Sequence, residues 1–157
     1  NRVYAAGFSN GAAFAFGLAC YQSENIAAVV SVSGSMSPTQ EQGCDPQHPV
    51  PVMTIHGTQD SYFTYQGGYY LSMSDVTDYW TLFNQTQTTL PTETVTDTKN
   101  NFIVEKFSYT QGNNGSKVDH FKVNGGYHTW FDLDFNGDST EELIWNFVSG
   151  FDMNGAR

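Results

Sequence analysis

Val3-Tyr4-Ala5-Ala6-Gly7-Phe8-Ser9-Asn10-Gly11-Ala12-Ala13-Phe14-Ala15-Phe16-Gly17-Leu18-Ala19-Cys20-Tyr21 is the stretch that decides the fold. Residues 3–6 form a short apolar run of strand character that stops at Gly7. From Asn10 to Tyr21 the apolar residues Ala12, Ala13, Phe14, Ala15, Phe16, Leu18 and Ala19 point nearly all round, the pattern of a buried helix. Between them stands Gly7-Phe8-Ser9-Asn10-Gly11, a G-x-S-x-G in the strand–turn–helix setting that a nucleophile elbow requires. So sharp a turn predicts a strained backbone at Ser9. It also predicts glycine on either side, because side chains two residues away would collide. The turn lifts the Ser9 hydroxyl above the sheet at a helix N-terminus, with the Asn10 N–H aimed where an oxyanion would develop.

Outward from this stretch the same alternation continues. Ile26–Val32 is a β-branched run suited to a strand buried on both faces, and Val52-Met53-Thr54-Ile55-His56, stopped by Gly57, is another. Residues 33–51 read as a loop, and 58–74 as an aromatic loop holding Tyr62, Phe63, Tyr65, Tyr69 and Tyr70. A helix is expected from Asp75 to Asn84 with Ser74 as its cap, then a mobile Thr-rich connection over 85–100. Residues 102–109 and 118–123 alternate around the turn Gly112-Asn113-Asn114-Gly115 and predict a hairpin. The last helix, Ser139 to Ser149, carries the capping box Ser139/Glu142 and the stripe Leu143, Ile144, Phe147, Val148. Short buried strands alternating with helices predict an α/β fold, a mostly parallel sheet with helices on both faces.

The 157 residues, 39% hydrophobic and 15% aromatic, suffice for one domain spanning 1–157. Sixteen Asp and Glu against six Lys and Arg leave a net charge of −10, which excludes partners with phosphate backbones and anionic lipid surfaces. No apolar run is long enough to span a bilayer as a helix. The chain opens on a strand with neither an initiator Met nor a leader, which predicts the back portion of a larger protein. Cys20 and Cys44 are either a bridge or two separate buried thiols. Neither has a second Cys or a His at metal-ligand spacing. A bridge would close a 24-residue loop, worth about 3.5 kcal/mol, and would imply an oxidising compartment.

A serine nucleophile needs a base, and the base an orienting carboxylate. Of the four histidines, His56 ends a buried strand and reads as a packed residue. His48 lies in a Pro-flanked loop with nothing around it, and His120 is expected on the solvent face of the hairpin. His128 follows Gly125-Gly126-Tyr127 where a strand ends, so its loop can swing the ring over the sheet; it is the expected base. Asp60, in the loop after a buried parallel strand, is the expected acid. Asp45, Asp75 and Asp78 read as solvated. The order Ser9, Asp60, His128 is that of the α/β-hydrolases. Tyr62, Phe63, Tyr65 and Trp130 flank the acid and the base and are expected either to wall an acyl pocket or to pack in the core.

Val3 to Gly11, Leu18-Ala19-Cys20, His56-Gly57-Thr58-Gln59-Asp60 and Gly125-Gly126-Tyr127-His128-Thr129-Trp130 together resemble the polyhydroxybutyrate depolymerase and feruloyl esterase family of secreted α/β-hydrolases. The resemblance extends over nearly the whole chain, including Tyr65-Gln66-Gly67-Gly68 and Glu142 to Phe147. It implies a secreted serine carboxylesterase acting on a polyester or a feruloylated polysaccharide, with no cofactor and no metal. Ser9 would be the nucleophile, Asp60 the acid, His128 the base and the Asn10 N–H an oxyanion donor. Cys20 and Cys44 match family positions that pair, while a second family pair is missing from both of its places. Prolyl-peptidase-like hydrolases share both motifs, but their acid-to-base spacing is shorter than the 68 residues here. The family's other oxyanion loop and its front strands would precede Asn1. Residues 3–6 should therefore form an edge strand in an incomplete catalytic domain, the helix at 10–21 should be partly uncovered, and this stretch alone should have low stability and weak or no turnover.

Asp132-Leu133-Asp134-Phe135-Asn136-Gly137-Asp138 matches the first half of a calcium loop, but Leu143 stands where the bidentate Glu belongs. The alternative is an extended segment with Phe131, Leu133 and Phe135 inward and the acids outward. Asn84-Gln85-Thr86 and Asn114-Gly115-Ser116 fit glycosylation sequons. The competing functional reading is an inactive hydrolase-like or calcium-dependent binding module.

Overall fold

The computed structural model describes residues 1–87 and 91–157. Its main elements run β1 (Tyr4–Phe8), α1 (Asn10–Tyr21), β2 (Ala28–Val32), α2 (Pro38–Gln42), β3 (Val52–Gly57), α3 (Met73–Asn84), β4 (Pro91–Thr96), β5 (Ile103–Tyr109), β6 (Val118–Asn124) and α4 (Thr140–Val148). Among the described residues these strands form a six-stranded sheet in the order β1-β2-β3-β6-β5-β4. β1, β2, β3 and β6 are parallel; β5 and β4 are added antiparallel at one side. The fold is a portion of an α/β-hydrolase sheet, as expected.

Both faces of the parallel strands are covered, which is why they read as nearly unbroken apolar runs. On one face Phe16 and Ala19 of α1 and Met73, Val76 and Trp80 of α3 pack over Val29, Val52 and Val118. The Phe16 and Trp80 rings stack at 6.3 Å and join the two helices. On the other face Leu143, Phe147 and Val148 of α4, with Phe131, Leu133 and Phe135 before it, cover Val30, Ile55, Phe121 and Val123. Each buried Val or Phe contributes roughly 1.5–3 kcal/mol relative to exposure.

β1 has β2 as its one hydrogen-bonded neighbour among the described residues, so it lies at the sheet edge. Phe14, on the outer side of α1, is 68% exposed. Cys20 at the end of α1 is joined to Cys44, with Cα atoms 4.5 Å apart.

Several boundaries differ from expectation. The 33–51 loop contains α2, opened by Ser37, whose hydroxyl accepts from the Gln40 N–H, and by Pro38 at the first helical position. α3 begins two residues earlier than expected. Its cap is Ser72, in a reciprocal capping box with Asp75, not Ser74. The 85–100 connection contains strand β4, paired with β5; residues 88–90 of that span lie outside the described residues. α4 has the expected Ser139/Glu142 box.

Candidate active site

Ser9 sits between β1 and α1 at φ 58°, ψ −122°, a backbone conformation that a serine adopts only under constraint. The constraint is visible on both sides. The Ser9 N–H donates to the Val32 carbonyl at 3.0 Å, and the Ser9 carbonyl accepts from Ala12 and Ala13 at 3.0 and 3.1 Å. Gly34, after β2, closes from below: a Cβ there would lie 2.4 Å from the Ala12 Cβ and 2.8 Å from the Ser9 carbonyl oxygen. Asn10 is the first residue of α1, where an N–H has no intrahelical partner.

His128 stands over this turn. Its Nε2 is 2.9 Å from Ser9 Oγ and its Nδ1 is 2.8 Å from Asp60 Oδ2. A carboxylate only accepts, so Nδ1 carries the proton and donates to Asp60, leaving Nε2 to accept from the Ser9 hydroxyl. The His128 loop is clamped to the Asp60 loop. Gly125 N–H donates to Thr58 Oγ1 at 2.8 Å, and Gln59 N–H donates to the Gly126 carbonyl at 2.9 Å. A Cβ on Gly57 would lie 2.2 Å from that same carbonyl oxygen, so the strand end and the loop touch backbone to backbone. Downstream, the Ser33 hydroxyl donates to the Thr129 carbonyl at 2.8 Å.

Asp60 is buried, and its second oxygen is held too: Oδ1 accepts from the Tyr62 and Phe63 N–H groups, both at 2.9 Å. His56 lies beneath, its Nε2 donating to the Phe63 carbonyl at 2.7 Å and standing 3.6 Å from Asp60 Oδ2. Burial holds the His56 pKa below the usual imidazole value, so the ring is neutral.

The aromatic residues divide. Tyr62, 74% exposed, has its ring 4.9 Å from that of His128, and the buried Phe63 ring stacks at 6.0 Å. Tyr65 does not join them. Its hydroxyl is 2.7 Å from His120 Nε2, and it lines a separate cleft with Met73, Thr77 and Phe107. Trp130 is pinned outward, its indole N–H donating to Glu141 at 3.0 Å. Phe8 is a further neighbour that the sequence reading does not include: its ring lies 5.0 Å from that of His128. Its place immediately before the elbow serine, at the end of β1, was the available signal.

Two other histidines depart from expectation. His120 is buried, not solvent-facing, with Nδ1 2.6 Å from Thr54 Oγ1; α3 and the Tyr65 loop cover the face that alternation had marked as open. Burial pushes its pKa down to about 3. His48 is not isolated, since its nitrogens lie 2.8 Å from the Pro49 carbonyl and 2.6 Å from that of Ser23. In the 131–138 segment Phe131, Leu133 and Phe135 face inward. Asp132 pairs with Lys99 at 2.7 Å, and Asp134 accepts from Thr98 and from the Gly137 N–H. Among the described residues no three His, Cys, Asp or Glu side chains gather as a metal site needs.

Residues 1–93, more than half of the chain and including Ser9 and Asp60, match the family model described as phospholipase/carboxylesterase. The chain belongs to this family. This phospholipase/carboxylesterase family member is 28% identical over 172 residues to feruloyl esterase B of Piromyces equi, a match covering 97% of this chain. It is 28% identical over 158 residues to the bifunctional acetylxylan esterase/xylanase XynS20E of Neocallimastix patriciarum, covering 98%. The chain spans 28% and 21% of the lengths of these two relatives. Both matches run past the family model's last matched residue and include His128.

Proposed function

We propose that this chain carries the catalytic apparatus of a serine carboxylesterase that removes acyl groups from an esterified plant polysaccharide. The observation that carries this reading is the unbroken Ser9–His128–Asp60 relay at 2.9 and 2.8 Å, launched from a serine with positive φ. In the proposed reaction Ser9 Oγ attacks the ester carbonyl as His128 Nε2 takes its proton. The Asn10 N–H donates to the oxyanion. The protonated imidazole, stabilised by Asp60, then returns its proton to the leaving alkoxide. Water repeats the cycle on the acyl-enzyme.

Two relatives named for feruloyl and acetylxylan ester hydrolysis favour polysaccharide esters over the polyester that the sequence resemblance left equally open. The Cys20–Cys44 bridge supports an oxidising, extracellular or periplasmic location. The test is labelling with a fluorophosphonate, followed by hydrolysis of p-nitrophenyl acetate, acetylated xylan, a feruloyl arabinoside and polyhydroxybutyrate. Ser9-dependent turnover with preference for the two carbohydrate esters is expected. Absence of Ser9 labelling overturns the esterase reading, and preference for the polyester overturns the substrate class.

A further inference from the structure

His56 takes no direct part in the relay, yet it is built against the one carboxylate that does. It lies near the end of β3, buried to 1% relative exposure, with the Asp60 loop folded over it. Its Nε2 faces two groups that can only accept, the Phe63 carbonyl at 2.7 Å and Asp60 Oδ2 at 3.6 Å, so the ring proton is on Nε2. Phe63 is the residue whose own N–H closes on Asp60 Oδ1 at 2.9 Å. The residue is thus gripped at both ends, its N–H by the acid and its carbonyl by His56. Around the imidazole stand the Asp60 carboxylate, the His128 ring, the Gly34 backbone, the edge of the Tyr65 ring at 6.0 Å and, beyond Tyr65, His120.

We propose that His56 is a positioning residue for the acid of the relay: its Nε2–H anchors the Phe63 carbonyl, and thereby the turn that aims Asp60 Oδ2 at His128 Nδ1. The inference rests on the esterase reading and adds a fourth member to that site. A carboxylate tied to two backbone N–H groups keeps its direction only while the turn supplying them is itself fixed. Tyr62 is exposed and makes its ring contact with His128 from the solvent side, while Phe63 is buried beside it. His56 supplies the hold from the inner side.

A glutamine amide nitrogen reaches the place of imidazole Nε2, whereas an asparagine amide reaches only that of Nδ1. His56→Gln therefore keeps a donor for Phe63 and His56→Asn loses it. In p-nitrophenyl acetate hydrolysis, His56→Asn is expected to lower kcat about tenfold or more with KM within roughly twofold, and His56→Gln to restore most of the loss. The low-field proton resonance of His128 Nδ1–H should weaken or shift in His56→Asn and persist in His56→Gln. Nitrogen chemical shifts of the unsubstituted protein should report His56 as the Nε2–H tautomer, a measurement that needs no variant to fold. An Nδ1–H tautomer overturns the proposal, as do folded Asn and Gln variants with equal kcat and equal resonance. Ser9→Ala run alongside separates the two readings: lack of Ser9-dependent turnover sinks the esterase assignment, while the resonance and tautomer still decide the role of His56.

Discussion

Gly7 and Gly11 meet across the turn that carries Ser9, so closely that a Cβ on Gly7 would lie 2.1 Å from the Gly11 carbonyl oxygen. The contact is one-sided. A Cβ on Gly11 would meet nothing within 4 Å, so only the first glycine of the motif is demanded by sterics, contrary to the symmetrical expectation.

Gly7→Ala is therefore expected to push β1 off the start of α1. It should destabilise by about 1–3 kcal/mol or more and abolish Ser9 labelling. Gly11→Ala, inside a helix, should leave labelling intact and stabilise by up to about 1 kcal/mol. Urea unfolding with a small fluorophosphonate probe reads both. Equal damage from the two changes would mean that the elbow is not held by this contact.

Much of this site was legible because strong local rules coincide. Gly7 to Gly11 is bounded by a strand and a helix, and the loops of Asp60 and His128 each follow a strand end. What escaped was decided by contacts distant in the chain. His120 alternates with apolar neighbours in β6, which predicts a solvent face, but both faces of β6 are covered, one by α3 and the other by α4. β4 was hidden because Thr-rich sequence serves loops and strands equally until a partner such as β5 is present. Tyr65 sits near Asp60 in sequence, yet the chain turns it toward His120. α2 has a readable start in Ser37-Pro38, but the Gly and Gln around it mask a helix this short.

Asp60→Asn tests the division of labour in the relay. The amide would present N–H or C=O to His128 Nδ1 and no longer stabilise an imidazolium. kcat should fall about 10⁴-fold while the protein stays folded. Steady-state kinetics on p-nitrophenyl acetate measure it. A loss under tenfold would show that another carboxylate orients His128.

Acid should destabilise this fold through His120. Its folded pKa of about 3, set first by burial, lies below the ordinary imidazole value of 6.5. Between these values the unfolded chain binds a proton that the folded chain does not. Stability is therefore complete above pH 6.5 and is lost as pH falls toward 3. His56, lowered in the same direction, adds to the slope. His120→Gln keeps a partner for the Tyr65 hydroxyl at the place of Nε2 and does not titrate, at the cost of the Thr54 contact made by Nδ1. It should flatten the fall between pH 6.5 and 4 by up to about 1.4 kcal/mol per pH unit. Urea melts at several pH values check this, and parallel slopes in variant and parent would contradict it.

The Cys20–Cys44 bridge ties the end of α1 to the segment after α2 across 24 residues. Cys20→Ser with Cys44→Ser should cost about 3.5 kcal/mol in the chain-entropy account. The loss should be global rather than local, because Cys20 packs in the same core as Phe16 and Trp80. A drop in the urea midpoint, with a slope equal to or steeper than the parent's because the unbridged denatured chain is less compact, is the expected signature. An unchanged midpoint would mean that the native packing around Cys20 already closes the loop.

The two sequons should behave oppositely in a glycosylating host. Asn84 is fully buried, its amide donating to the Val50 carbonyl at 2.7 Å and its oxygen accepting from the Val50 N–H at 3.0 Å. Val50 is itself buried at the entry to β3, so no water replaces these bonds. A glycan on Asn84 would need the space that Val50 fills and would replace one of the two hydrogens on the buried amide nitrogen. Asn114 lies in the exposed turn between β5 and β6, open to modification. Peptide mass spectrometry should find any glycan on Asn114 and none on Asn84. Asn84→Ala should cost several kcal/mol, because two buried backbone groups lose their partners at about 1–3 kcal/mol each. A glycosylated Asn84 in the folded protein, or an alanine variant as stable as the parent, would show that the Asn84–Val50 clamp does not hold α3 to β3.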